Sequence, residues 1–151
     1  MDFTWYQLDF GDYLSLWLLD SDHALPVAGA QTEWLAAALA AHDSRPHRFA
    51  CYHKPAYGTA KPSSEAVRQH WVPLFEKYKL TAAFENDHHT YKRTHPLRQN
   101  KIDHQQGVLY LGDGAWGVGT REVKNPDAWY LAHAESRRHL ILVTLDGDRQ
   151  T

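Results

Sequence analysis

The stretch Tyr13-Leu14-Ser15-Leu16-Trp17-Leu18-Leu19 is nearly all apolar. A strand of that kind must be covered on both faces, which places it inside a sheet flanked by other layers. Before it, Phe3-Thr4-Trp5-Tyr6-Gln7-Leu8-Asp9-Phe10 has the aromatic content of a strand, and Gly11-Asp12 supplies a turn, so the two runs read as a hairpin. The rest of the chain alternates. A helix is expected from about Gln31 to His42, where Trp34, Leu35, Ala38 and Leu39 share one face, and Pro46 breaks it. Arg48-Phe49-Ala50-Cys51-Tyr52-His53 reads as a buried strand ended by Lys54-Pro55. Ser63 or Ser64 caps a helix running to about Tyr78, which Pro73 splits near Val72. Leu80 to Phe84, Gly107 to Leu111 and Leu140 to Leu145 complete the strands. The reading is one α/β domain over residues 1–151, with a mixed β-sheet and flanking helices.

Composition narrows the function classes. The 151 residues are 43% hydrophobic, with a formal net charge of -2, which excludes the basic footprint of a general nucleic-acid binder. No apolar run approaches the ~18–20 residues of a membrane span, so no membrane partner is expected. The written N-terminus has no basic-then-apolar leader, which reads as cytoplasmic. One cysteine, Cys51, forms no internal disulfide. There are 11 histidines, 6 Trp and 8 Tyr, an unusual load for this size.

Placement separates the histidines. Sites in open α/β sheets gather past the carboxyl ends of strands. His53 ends one expected strand, and Asp87-His88-His89 follows the next. If those strands are neighbours, both meet at one sheet edge, and imidazole with carboxylate suits Zn, Mn or Fe. His42, His47 and His70 fall on or beside helices and read as solvated.

Several segments carry a family resemblance in order and spacing. They are Phe10-Gly11-Asp12, Leu19-Asp20-Ser21, Gln31-Thr32-Glu33-Trp34-Leu35, Tyr52-His53-Lys54-Pro55-Ala56-Tyr57, Pro73-Leu74-Phe75-Glu76-Lys77-Tyr78 and Glu85-Asn86-Asp87-His88-His89-Thr90-Tyr91-Lys92-Arg93-Thr94. From Tyr6 to about Val118 the chain resembles the C-terminal half of the calcineurin-like metallophosphoesterases, in their purple-acid-phosphatase-like branch. The resemblance implies about half of that family's α/β sandwich, in a single truncated domain. It makes His53 the His-x-Pro ligand and His89 the second histidine of Gly-His-x-His. The first histidine of that motif falls on Asp87, so either Asp87 or His88 fills the position. The family's Asp-x-His, Gly-Asp and Gly-Asn-His motifs, which complete a two-metal centre, have no match before Tyr6. Asp20-Ser21-Asp22-His23 and Gly112-Asp113 look similar but sit elsewhere in the family order.

The implied activity is a metal-dependent hydrolase of phosphoric esters (mono-, di- or triesters), in which metal-bound hydroxide attacks phosphorus. The metal ligands are then His53, Asp87 and His89, for one or two Zn, Mn or Fe ions. His88 and Arg93 become the catalytic candidates, and Lys54, Tyr57 and Lys61 the substrate-binding ones. Trp116, in a glycine-rich loop, is a candidate wall for a hydrophobic ester group. Full-length relatives of this kind are exported in many cases. Half a sandwich leaves an apolar face, so a homodimer that restores the missing half is expected. The alternative is a non-catalytic remnant that binds metal or a partner.

Overall fold

The computed structural model describes residues 4–21, 23–112 and 114–151. Phe3, Asp22 and Asp113, which entered the sequence reading, lie outside the described residues. The sheet begins with β1 (Tyr6–Phe10) and β2 (Leu14–Leu18), then α1 (Ala30–Ala41) leads to β3 (His47–Tyr52). Two short helices, α2 (Glu65–His70) and α3 (Val72–Lys77), lead to β4 (Ala82–Glu85) and β5 (Tyr91–Thr94). A small ribbon, β6 (Leu97–Arg98) and β7 (Lys101–Ile102), precedes β8 (Leu109–Gly112) and β9 (Leu131–Glu135). β10 (Leu145–Asp146) and β11 (Arg149–Gln150) close the chain as a hairpin.

Seven strands form one mixed sheet in the order β1-β2-β3-β4-β8-β5-β9. The β1–β2 pair is the expected antiparallel hairpin, and β2, β3, β4 and β8 run parallel. Their carboxyl ends therefore open on a single edge. Ser64 accepts a hydrogen bond from the Val67 N–H at the start of α2, and the helix pair breaks at Trp71, just before Pro73. A proline fits the first turn of a helix, where its missing N–H has no partner to lose.

The pleat sorts the side chains into two unlike faces. Trp17, Ala50, Ala83 and Tyr110 are register partners on adjacent strands. All four are buried, packed with Leu35, Leu39, Val67, Trp71 and Phe75 from the helices. The opposite face carries Leu16, Phe49, Ala82 and Leu109, then Leu18, Cys51, Phe84 and Leu111, in the same registers. Residues 141–143, with Gln150 and Thr151, lie over part of it around a cavity of about 500 Å³. On β1 this face continues through Tyr6, Leu8 and Phe10, which are 52%, 42% and 56% exposed.

Two expectations change. Residues 140–144 form no strand, and the terminal hairpin's pairing begins with the Thr144–Thr151 backbone hydrogen bonds, just before β10. Ile141, Leu142 and Val143 instead line the cavity over the sheet, with Leu140 and Leu142 65% and 79% exposed. His47 is buried rather than solvated, because it opens β3 under the terminal hairpin. Its Nε2 lies 2.8 Å from the Gly147 carbonyl oxygen, and its ring packs edge-on against Tyr13 at 4.8 Å. No helix among the described residues is long and apolar enough to cross a membrane.

The glycine-rich loop owes its glycines to a close approach. A Cβ on Gly114 would sit 1.9 Å from the Asn86 carbonyl oxygen, and its φ is +63°. Gly114→Ala should therefore lower stability by at least ~1 kcal/mol, the cost of a strained backbone alone. Urea denaturation checks it, and an unchanged midpoint would show that the loop does not pack against β4 as described.

Candidate functional site

The parallel strands bring three loops to one edge, and short-range chemistry ties the loops together. After β2, the Gln31 side chain holds the Asp20 backbone in both directions, accepting from its N–H at 2.8 Å and donating to its carbonyl at 2.9 Å. The Asp20 carboxylate accepts from the backbone N–H groups of His23, Ala24 and Leu25. Burial favours the neutral acid there, but those three donors outweigh it and lower the Asp20 pKa. Next door, Ser21 Oγ accepts from the His53 and Lys54 N–H groups at 3.1 and 2.7 Å, and the Asn86 N–H donates to the His53 carbonyl at 3.0 Å.

A buried ion pair supports the same loops from below. Glu85 and Lys92 are fully buried and paired through Glu85 Oε2. Glu85 Oε1 accepts from the Tyr52 hydroxyl at 2.7 Å and from the Ala56 N–H at 2.6 Å. Lys92 Nζ also donates to the Tyr57 carbonyl at 2.6 Å.

On this support His53 and Asp87 meet. His53 Nε2 is 3.4 Å from Asp87 Oδ1, and Lys61 Nζ donates to the same oxygen. Arg121 Nη1 stands 3.8 Å from Asp87 Oδ1 and donates to the Asp87 carbonyl at 2.7 Å. The His23 ring packs edge-on against His53 at 4.8 Å. Partial burial lowers the His53 pKa, against the pull of Asp87 and with the help of His23, Lys61 and His89. Burial alone would raise the Asp87 pKa, but the Lys61 hydrogen bond and charge, then His53 and His88, bring it down.

The other expected residues divide. His89 is beside this group, in left-handed backbone at φ 55°, with its Nδ1 3.2 Å from the Gly119 carbonyl oxygen. Such a conformation is uncommon for a non-glycine residue and clusters at functional sites. Lys54 follows His53 on the same loop, its N–H bound to Ser21. His88 is instead fully buried, its Nδ1 accepting from the Thr59 N–H at 2.9 Å, which puts the ring proton on Nε2. It braces the 57–61 loop, where a Cβ on Gly58 would meet its ring at 2.5 Å.

Tyr57 and Arg93 are placed away from His53. The Tyr57 ring is 1% exposed, stacked edge-on with Tyr110 and tilted against Tyr130, and burial pushes its pKa up to about 12. Arg93 lines the cavity on the other face of the sheet with Phe49, Phe84 and Leu111. Trp116 is 73% exposed and borders a further cavity of about 290 Å³ on that face, with Cys51, Asn86 and Leu140. Arg121 was not legible in the sequence. It lies in a segment without strand or helix, more than thirty residues past the motif it reaches, and only the fold brings it back.

The donors at this edge suit a transition metal in kind, imidazole nitrogen beside carboxylate oxygen. They do not suit it in number. Among the described residues no three His, Cys, Asp or Glu side chains are grouped to hold a metal ion, and the Asp87 oxygen nearest His53 is taken by an ammonium.

Comparison with known proteins gives the fold. No protein-family model matches the sequence. The uncharacterized proteins MT2654 and Rv2577 of Mycobacterium tuberculosis (strains CDC 1551 and H37Rv) are each 38% identical over 112 residues. That match covers 60% of this chain and 21% of either relative, so the chain spans about a fifth of their length. Among solved structures, purple acid phosphatase PPD1 from yellow lupin (Lupinus luteus) seeds superposes with a TM-score of 0.72 at 19% identity, over 87% of this chain and 26% of that one. GAP50, described as the anchor in the inner membrane complex of Plasmodium, gives 0.64 at 9% identity, over 89% and 44%. PhoD gives 0.61 at 11% identity, over 89% and 34%. The chain has the architecture of half of an α/β phosphoesterase fold.

Two tests address the supports. Lys92→Met strands a buried carboxylate and should cost ~3–5 kcal/mol in urea denaturation, with Glu85→Gln in the same chain recovering much of it. A loss below 1 kcal/mol for the single variant would show that the pair is not sealed from water. The Asp20 contribution is fully present above its unfolded pKa near 3.8 and is lost as pH falls through the lower folded value. Stability measured from pH 6 to 3 should fall less steeply in Asp20→Asn than in the parent, and equal slopes would contradict the assignment.

Proposed function

We propose that this chain contributes half of the active site of a metal-dependent phosphoric-ester hydrolase. The observation that carries the reading is the meeting of His53 and Asp87 at the carboxyl ends of parallel strands, in a fold shared with a purple acid phosphatase and PhoD. In this reading the chain belongs to the calcineurin-like metallophosphoesterases, and His53, Asp87 and His89 are its share of ligands for Zn, Mn or Fe. The metal supplies Lewis acidity toward a phosphoryl oxygen. The remaining donors come from outside the chain, and a second copy is the source we favour. The exposed Tyr6, Leu8 and Phe10 on edge strand β1 give that copy an apolar surface to bind.

The chain's own residues do the rest. His53 presents Nε2 at the edge, and its lowered pKa keeps the ring neutral near pH 7, with a lone pair to offer. Lys54 and Lys61 lie on the same loop and draw a phosphate group toward it. A second reading, a non-catalytic remnant that binds a partner, is favoured by the ammonium already seated on Asp87.

Chelator-treated protein, reloaded with Zn, Mn or Fe, should turn over aryl phosphate mono-, di- or triesters. His53→Ala and His89→Ala should each lower that rate at least 100-fold. Bound metal without turnover favours a non-catalytic remnant that binds metal, and neither metal nor turnover favours one that binds a partner. Light scattering on a sizing column should give a dimer that Phe10→Glu converts to monomer. A monodisperse monomer in the parent would remove the second-copy source.

A further inference from the structure

Asp87 is surrounded by more positive charge than one carboxylate neutralises. Lys61 donates to Oδ1, Arg121 Nη1 lies 3.8 Å from that oxygen, and His53 Nε2 lies 3.4 Å away. The two permanent cations face outward past the acid, because the Lys61 and Arg121 side chains are 40% and 39% exposed and that of Asp87 only 20%. Arg121 is held in place by its backbone. Its N–H donates to the His89 carbonyl at 3.2 Å, and the Lys124 N–H donates to the Thr59 carbonyl at 3.0 Å. The segment thus crosses both site loops and carries a guanidinium to the carboxylate that also binds the ammonium.

A guanidinium and an ammonium converging on one carboxylate make a site for a tetrahedral oxyanion, since phosphate offers the same acceptor oxygens at higher charge. We propose that Lys61 and Arg121 form a clamp for phosphoryl oxygens, and that the Asp87 carboxylate is its internal occupant until an anion displaces it. The proposal rests on the phosphoester reading of this edge and deepens it, giving Arg121 the recognition of phosphate charge. Asp87 and phosphate then compete for the Lys61 ammonium and for the charge of Arg121, whose Nη1 lies 3.8 Å from Oδ1 and donates to the Asp87 backbone carbonyl. Whatever draws the Asp87 oxygen away, a cation bound beside His53 included, releases Lys61 and Arg121 toward the anion.

The test is inorganic phosphate binding to the full chain kept metal-free with chelator, followed by calorimetry, with near-ultraviolet circular dichroism to verify folding. Asp87→Asn removes the competitor and should tighten phosphate binding about 3- to 10-fold. Arg121→Met and Lys61→Met should each weaken it at least 5-fold, and Arg121→Lys should fall between Arg121→Met and the parent. A merely structural role for Asp87 predicts the opposite sign, because loosened cations bind an anion less well. Weaker or unchanged binding in folded Asp87→Asn overturns the competition, and unchanged binding in Arg121→Met overturns the clamp. If Asp87→Asn does not fold, the two cation variants decide. The clamp and the hydrolase fail separately: turnover of aryl phosphates with phosphate affinity indifferent to Arg121 rejects only the clamp. The expected affinity pattern without turnover under any metal supports the clamp and rejects only the hydrolase.

Discussion

The buried pair of Glu85 and Lys92 is the interaction on which the rest of the site depends. Two opposite charges with no exposure are tolerated in a core only when their other hydrogen-bonding positions are filled. Here they are filled by the groups that need fixing. Glu85 takes the Tyr52 hydroxyl and the Ala56 N–H, and Lys92 takes the Tyr57 carbonyl. The end of β3, the loop behind His53, the end of β4 and strand β5 are thereby joined at one point. A nonpolar pair of equal volume would fill the space without telling the 56–57 backbone where to lie. That specificity explains why a motif of loops, rather than of strands, can hold its shape at an exposed edge.

The two faces of the sheet explain the rest of the architecture. One is sealed by three helices around Trp17, Trp71, Phe75 and Tyr110. The other is equally apolar by register, yet irregular segments around 115–116 and 139–143 and the end of the terminal hairpin cover it in place of helices. Phe49 and Ala82 are buried beneath that cover, and the face is exposed at its β1 end, through Tyr6, Leu8 and Phe10. Residues 140–143 are all apolar, and they border the cavities over the sheet while Leu140 and Leu142 stay 65% and 79% exposed. A segment of that kind suits the middle of a sandwich better than its surface.

What the sequence made legible is what local pattern controls. The hairpin at Gly11-Asp12, the Ser64 cap, the break before Pro73 and the approach of His53 to Asp87 all follow from periodicity, turn chemistry and strand order. Boundaries moved by one or two residues, as cap geometry allows. The failures share another cause. Leu140 to Leu145 has the composition of a strand, but an element pairs only where a neighbour offers an edge, and local sequence does not state that. Arg93 and Tyr57 adjoin motif residues in the chain, yet the pleat sends Arg93 to the opposite face and the Tyr110 and Tyr130 rings draw Tyr57 into the core. His88 sits between two site residues in a bend outside any strand, and it turns inward to accept from the Thr59 N–H, a long-range contact that no local pattern announces. Arg121 belongs to no pattern at all.

Asp87 is where the architecture and the chemistry meet. A carboxylate oxygen that accepts from an ammonium has its charge largely satisfied, so it is a poor metal ligand until that partner leaves. The sequence reading saw Asp87 only as a substitute for a histidine ligand. A histidine at that position would be neutral or positive, and it would not attract Lys61 and Arg121. Aspartate changes the balance of the whole edge, because it recruits two cations that a histidine would repel or ignore. On the proposed reading, an aspartate here weakens a metal site in isolation and assembles a cationic one beside it. Whether the edge holds a metal, an anion or both is then a matter of which partner Asp87 keeps, and these choices are coupled through a single oxygen atom.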